Sequence, residues 1–471
     1  MQDTVTERAD TDLGSAPAQA ARAAPAAQRL PAKTLAIYSL PYMSYWIVAL
    51  PLTLFVPSYY ADELGIPLAA VGAAIAGSRL VDVITDPFIG YLSDRSRSPW
   101  GRRKPWIAAG TPLLMLSVWM VLVPGPAASF GYLLLWTTLL YLGFTLVDLS
   151  YKAWGAELSG DYSERSRVTG WREGFGFGGQ LLFVALVLIM ERLGYTHIEE
   201  QMQVIAATVL VTLPPLLVWA FRTVDDPPAE QLAGEPVIGI EGLRILACNP
   251  AFIRIIAAVI LFVSGIVIQA TLHRLVMTYV TDSPGIFVTM LLLENVVTIA
   301  AVPLGLHVSY RMDKHRALAL AALWAGLWSL PLPLIGAGDG WWLVGLLVIR
   351  GASFATILFL ANSIAADVVD QDTVDSGRQR TGLFFALWAM IYKLAIAVGV
   401  LLATVLPSWF GFEPSQGGLS DSAEQALMLI YGWLPSLLMG LSALCLWSFP
   451  IDAARQQALR ALIAQRVIGK R

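Results

Sequence analysis

Ser78 to Trp106 reads SRLVDVITDPFIGYLSDRSRSPWGRRKPW. The first half is apolar apart from Arg79, Asp82 and Asp86, whose separations of three, four and seven residues place them along one face of a helix. The second half closes the apolar run with Asp94 and Arg95. It then gathers Arg97, Arg102, Arg103 and Lys104 into a short loop, and Pro105 opens a second long apolar run. A charge at the centre of a bilayer costs roughly 3 kcal/mol or more unless it faces protein or a water-filled cavity. Two carboxylates sharing one site favour a proton or a cation between them. The stretch therefore implies a membrane helix, a cytoplasmic loop and an ion site.

The whole chain agrees with a membrane setting. Of 471 residues, 56% are hydrophobic and only 14% charged, where a soluble domain carries about 25% charged residues. A net charge of −3 offers no basic surface for nucleic acid. Cys248 and Cys445 lie near or inside apolar runs and suggest buried thiols rather than a disulfide framework or a metal cluster. The chain has four histidines (His197, His273, His307 and His315), no HExxH and no paired cysteines, so an intramembrane enzyme lacks its metal ligands or nucleophile. No cofactor is expected.

Twelve apolar runs reach the ~20 residues that a bilayer requires. They fall at 34–60, 68–93, 105–124, 131–157, 168–191, 202–221, 251–280, 284–309, 317–336, 341–366, 381–406 and 424–449. Lysine and arginine collect in the loops after the even-numbered runs, at Arg95 to Lys104, Arg165 and Arg167, Arg222 and Arg244, Arg311 to Arg316, and Arg378 and Arg380. Acids dominate the opposite loops, among them Asp62, Glu63, Glu199, Glu200, Asp282, Asp339 and Glu413. Positive charge marks the cytoplasmic side, which puts both termini inside. Residues 1–33 read as a disordered cytoplasmic tail without the apolar core of a signal peptide. Residues 34–222 and 251–449 form two six-helix bundles, 223–250 a cytoplasmic loop between them, and 450–471 a cytoplasmic C-terminal tail. A faint repeat joins the halves: GYLSDR…GRRK at Gly90 to Lys104 has a degraded counterpart, GLHVSYRMDKHR, at Gly305 to Arg316. Two related six-helix halves with a cavity between them at mid-membrane are a transporter plan.

Other residues carry charge into the apolar runs. Asp148 and Lys152, one turn apart, can pair directly. Either the pair orders its helix, or Asp148 accepts substrate hydroxyls while Lys152 reads an acidic group. Arg172 beside Trp171 offers a fork and a ring for a polar ligand, with membrane-end anchoring as its plainer role. Lys393, alone in an apolar helix, requires an acid, and Asp82, Asp86 and Asp148 are the candidates. Asp94 can exchange partners among Arg95, Arg102 and Arg103 as a gate opens and closes. His273, Arg274, Glu294 and Arg350 form a further buried set, in which Glu294 pairs with Arg274 or Arg350.

The GYLSDR…GRRK pattern resembles the loop between the second and third helices of the major facilitator superfamily. A longer match, RLVDVITDP at Arg79 to Pro87, RSPWG at Arg97 to Gly101 and KPW at Lys104 to Trp106, is similar to the glycoside–pentoside–hexuronide:cation symporters. Tyr59 to Asp62, Thr145 to Asp148, Arg172, Asp367 to Asp370 and Lys393 extend it over nearly all of the chain between the tails. The resemblance implies a twelve-helix major facilitator fold in the inner membrane and alternating access. It also implies a cation site at Asp82, Asp86 and Thr145, with Na⁺ or H⁺ as coupling ion and Asp82 and Asp86 as ligands if Na⁺ is used. Its sugar site would use Asp148 and Arg172, with Lys393 close to the cation. Three positions depart from the pattern: Thr85 stands where an amide is usual, Trp46 where a sugar-binding acid is usual, and Lys152 where an aromatic is usual. The expected partners are membrane lipid and a small-molecule substrate, a glycoside or sugar acid, taken up by a monomer. A lysolipid or other amphiphilic anion is the rival substrate, and a non-transporting sensor the rival role.

Overall fold

The computed structural model describes residues 29–96, 98–126, 128–159, 162–225, 249–376, 381–414 and 420–468. Twelve helices in it are long and apolar enough to cross a membrane. In the first half they are α1 (Ala32–Leu54), α2 (Leu68–Arg95), α3 (Lys104–Leu122), α4 (Phe130–Glu157), α5 (Tyr162–Arg192) and α6 (Ile198–Thr223). In the second they are α7 (Pro250–Tyr279), α8 (Phe287–Ala300, continued by Val302–Arg311), α9 (Lys314–Ser329), α10 (Gly340–Gly351, continued by Phe354–Ser376), α11 (Thr381–Trp409) and α12 (Asp421–Trp447). A further helix, α13 (Ala453–Ile468), follows, inside the stretch read from sequence as a tail. The tail residues 1–28, Arg97, most of the central loop with Cys248, and Arg378 and Arg380 lie outside the described residues, as does the side chain of Asp94.

Proline placement explains where the helices depart from the runs in the sequence. The run at 34–60 does not form one straight helix. Pro51 and Pro57 each remove an amide donor from the ladder, and α1 ends at Leu54 with Phe55 as its C-cap. The chain continues as a short turn, Val56–Ser58, and a five-residue π-helix, Tyr59–Glu63. There Leu64 N–H reaches Tyr59 O at 3.2 Å and Ile66 N–H reaches Tyr60 O at 3.0 Å. π-turns of this kind are concentrated at functional positions. The run at 284–309 is interrupted at Ala301, just before Pro303. The run at 341–366 breaks after Gly351 and extends to Ser376.

Within the first half, α1 packs on α5 and α6, and α4 on α2 and α3. Within the second, α7 packs on α11 and α12, α9 on α10 and α12, and α8 on α10. The halves meet along α2–α11, α5–α8 and α1–α7. This is the two-half architecture that the sequence implied. Faces turned away from these contacts carry large apolar side chains in the open, such as Ile84, Phe88, Trp341 and Trp342, which a hydrocarbon solvent accommodates without cost.

The second half is tied internally by one buried polar network. Arg350, 1% exposed, donates to Glu294 Oε1 at 2.6 Å and to the Gln269 side-chain oxygen. Gln269 Nε2 donates to Ser329 Oγ at 3.0 Å and to Tyr431 O at 3.1 Å, and His273 Nδ1 lies 2.5 Å from Tyr431 Oη. Of the two bases offered to Glu294 by the sequence, Arg350 is its partner. Arg274 instead stacks over Phe55, 5.4 Å from the ring centre.

Candidate functional site

Arg79, Asp82 and Asp86 of α2 gather at the interface of the halves. Lys393 of α11 places Nζ 2.8 Å from Asp82 Oδ2 and 2.5 Å from Asp86 Oδ2. Thr145 of α4 lies on the other side, with Oγ1 2.5 Å from Asp82 Oδ1 and 2.7 Å from Asp86 Oδ1. Helical spacing puts the two acids one turn apart, and the approach of α11 supplies the cation that their burial demands. Arg79 is looser: its guanidinium is 3.9 Å from Asp82 and sits 3.8 Å above the Tyr141 ring. Thr85 turns its hydroxyl to the Asp82 carbonyl at 3.2 Å, a bond within its own helix.

A single threonine hydroxyl carries one proton. It therefore donates to one carboxylate at a time and is shared between Asp82 and Asp86, while the Lys393 ammonium supplies the positive charge between them. Two carboxylates and one hydroxyl also suit a small hard cation, which would have to displace the Lys393 ammonium from between them. Thr145→Val keeps the shape and removes the one bond that this proton makes, worth about 1.5 kcal/mol or more with a charged partner. The expected result is a rise on the order of tenfold in the half-saturating cation concentration for uptake, read from a cation titration.

A second cluster lies on the first-half side. Lys152 Nζ is 2.7 Å from Asp148 Oδ2, and Tyr42 donates to Asp148 Oδ1 at 3.2 Å. Asp148 thus has a partner on each oxygen. Arg172 pairs with Glu173 at 2.7 Å. The ring it faces is Tyr42, with 5.3 Å from guanidinium to centroid. Trp171 is not that platform: adjacent helical residues diverge by about 100°, and its indole stacks on Phe175. Tyr42 stacks in turn on Tyr45 at 5.4 Å and on Tyr151 at 5.9 Å, and Tyr151 stacks on Tyr38 at 4.9 Å. Trp46 meets Tyr42 edge-on. Two buried donors here have no acceptor, Arg172 Nε and Trp46 Nε1. The site therefore holds donors in excess and an acid already engaged, which favours a ligand rich in acceptors.

Tyr42 and its stacked neighbours were not singled out in the sequence, although Tyr38, Tyr42 and Trp46 recur at four-residue spacing on α1, a stripe that could have marked them. Glu157 was also missed. It holds the basic loop, with Arg103 Nη2 at 2.7 Å and Nε at 3.1 Å and Arg102 on the same oxygen. Arg103 also donates to Ser93 Oγ at 2.8 Å. Arg95 lies over the Tyr91 ring. The second half repeats this clamp, with Lys314 after α8 2.7 Å from Asp367 near the end of α10.

Twelve membrane helices in two halves, with ionised groups joining them at mid-depth, define a multi-pass inner-membrane transporter of the major facilitator type. The sequence pattern of the family described as MFS/sugar transport protein matches residues 37–453, and the chain belongs to that family. It is 23% identical to the glucuronide carrier protein homolog of Escherichia coli (strain K12), over 90% of this chain and 93% of that one. To the putative glycoside/cation symporter YagG of the same organism it is 24% identical, with 88% and 91% covered. It is also 24% identical to the sodium-dependent lysophosphatidylcholine symporter 1-A of Danio rerio, with 88% and 84% covered. Among solved structures, the nucleoside transporter NupG shares the fold, with a TM-score of 0.64 at 14% identity over 89% of this chain and all of that one.

Proposed function

We propose that the chain imports a glycoside, sugar or sugar acid by cation-coupled symport, with Na⁺ or H⁺ as the coupling ion and the basic loops facing the cytoplasm. The observation that carries this reading is Lys393, a cation from one half held by Asp82 and Asp86 of the other. A coupling cation entering between the acids competes with the ammonium, so ion binding alters the bond that joins the halves. The same event frees α2 and α11 to rock, with Asp148, Lys152, Arg172, Tyr42 and Trp46 receiving the substrate. Differential binding to the two orientations is what lets an ion gradient drive the cycle. Uptake into proteoliposomes under an imposed Na⁺ or H⁺ gradient tests it, and no accumulation of any sugar under either gradient overturns it.

Lys152 sets the substrate's charge in this reading. Its ammonium has three donors and engages Asp148 through one contact. Lys152→Gln is expected to weaken binding of a uronate by on the order of tenfold, the scale of one charge-assisted bond. A neutral glycoside of the same ring should lose much less, and calorimetry on the purified protein reads both. Equal losses would remove Lys152 from substrate recognition. The aromatic wall and Trp46, in place of an acid, favour a second reading, transport of a lysolipid or similar amphiphilic anion. Competition by lysolipid for sugar uptake separates the two.

A further inference from the structure

The contacts that join the halves towards the acidic-loop end form a layered closure. Nearest that end, Tyr279, the last residue of α7, donates its hydroxyl to Asp62 in the π-turn after α1. The same hydroxyl lies 3.0 Å from the Pro414 carbonyl in the loop after α11. One phenol thus bridges the two halves. Beside it, Leu68 N–H, at the start of α2, donates to Glu413 at 3.1 Å. Deeper, Phe55 at the break of α1 meets Phe287 of α8 at 5.5 Å and Phe183 of α5 at 5.7 Å, with Arg274 over its ring. Between α2 and α11 the Thr404 side chain fills the space over Gly72, so that a Cβ there would lie 1.6 Å from Thr404 Oγ1. At the other end, the Arg103–Glu157 and Lys314–Asp367 pairs each stay within one half.

We propose that Tyr279 and Asp62 are the bolt of a gate on the acidic-loop face, with Phe55 as its plug and Gly72 as the slot into which α11 closes. For the site to open on that face, the phenol must leave Asp62, and Phe55 must part from Phe287. The π-turn supplies the compliance for this. Its i→i+5 ladder carries Asp62, and the missing donors of Pro51 and Pro57 leave it joined to α1 by a thinned ladder through Phe55. The bolt therefore acts on which face is open rather than on what is bound. The buried Glu294–Arg350 network, by contrast, lies wholly within the second half and can move with it as one body.

The test is the reactivity of a cysteine at Thr404, a residue fully buried in the slot, in a Cys248→Ser, Cys445→Ser background purified in detergent and exposed to a maleimide. Tyr279→Phe and Asp62→Asn each remove one side of the bolt. Each is expected to speed labelling of that cysteine by about fivefold or more, the population shift that one lost hydrogen bond produces. The half-buried native Cys445 of α12, probed in the same variants with Thr404 intact, should react at an unchanged rate. An unchanged rate at position 404 in both folded variants overturns the gate, and equal acceleration at Cys445 shows general loosening and overturns it too. If one variant fails to fold, the other decides. The readout needs neither substrate nor ion, so its failure would leave the symport reading to stand or fall on uptake alone.

Discussion

Asp82→Asn is expected to abolish accumulation driven by a cation gradient while leaving exchange of substrate across the membrane measurable. The amide keeps the size of a side chain that is 3% exposed and removes one negative charge. Lys393 retains Asp86 at 2.5 Å, so the link between the halves persists. The cluster that remains, however, has one acid to two bases and repels an incoming cation. At the short distances and reduced dielectric of this site, the loss in uphill transport should be on the order of 100-fold. Comparing uphill uptake with counterflow in the same vesicles checks it. Full uphill transport by the variant would remove Asp82 from coupling. Loss of both activities would assign it to structure instead.

Gly72→Val is expected to reduce uptake by on the order of tenfold or more, the scale of an overpacked contact that cannot relax. The added Cβ would meet Thr404 Oγ1 at 1.6 Å and Thr404 Cβ at 2.5 Å, and no rotation of Thr404 clears both. The helices α2 and α11 would have to stand apart at the acidic-loop end, holding that face open and stopping the cycle. Substrate binding, read by thermal shift of the purified protein, should survive. Thr404→Gly in the same chain should restore uptake by emptying the slot. Undiminished uptake by Gly72→Val alone would show that the slot does not need to close.

The parts of the site legible in the sequence were those where a residue violates its surroundings. Asp82, Asp86 and Lys393 stand out because hydrocarbon penalises charge wherever it lies along the chain, so each demanded a partner before any contact was known. Asp148 and Lys152 were legible as a pair because helical spacing alone brings them together. The identity of the Lys393 partner was not, since the bond spans 307 positions and depends on how two bundles dock. Tyr42 was missed for the opposite reason to Asp82: a tyrosine in an apolar run violates nothing. Its role comes from facing Asp148 and Arg172 on two other helices. The ends and breaks of α1, α8 and α10 depended on where proline and tertiary contacts end a ladder, which apolar run length does not encode.

The Lys393 cluster also has an electrical consequence. Asp82 and Asp86 carry two negative charges in the membrane, and Lys393 and Arg79 carry two positive ones. With all four groups ionised, the empty carrier of the proposed cycle would be neutral at this site and would reorient without feeling the membrane potential. A bound cation adds one charge, and moving one charge through the field is worth ~2.3 kcal/mol per 100 mV. Loaded with a neutral sugar, such a carrier would be drawn across by voltage. Loaded with a uronate, it is neutral again and driven by concentration alone. The current that accompanies uptake thus reports the charge of the cargo before its identity is known.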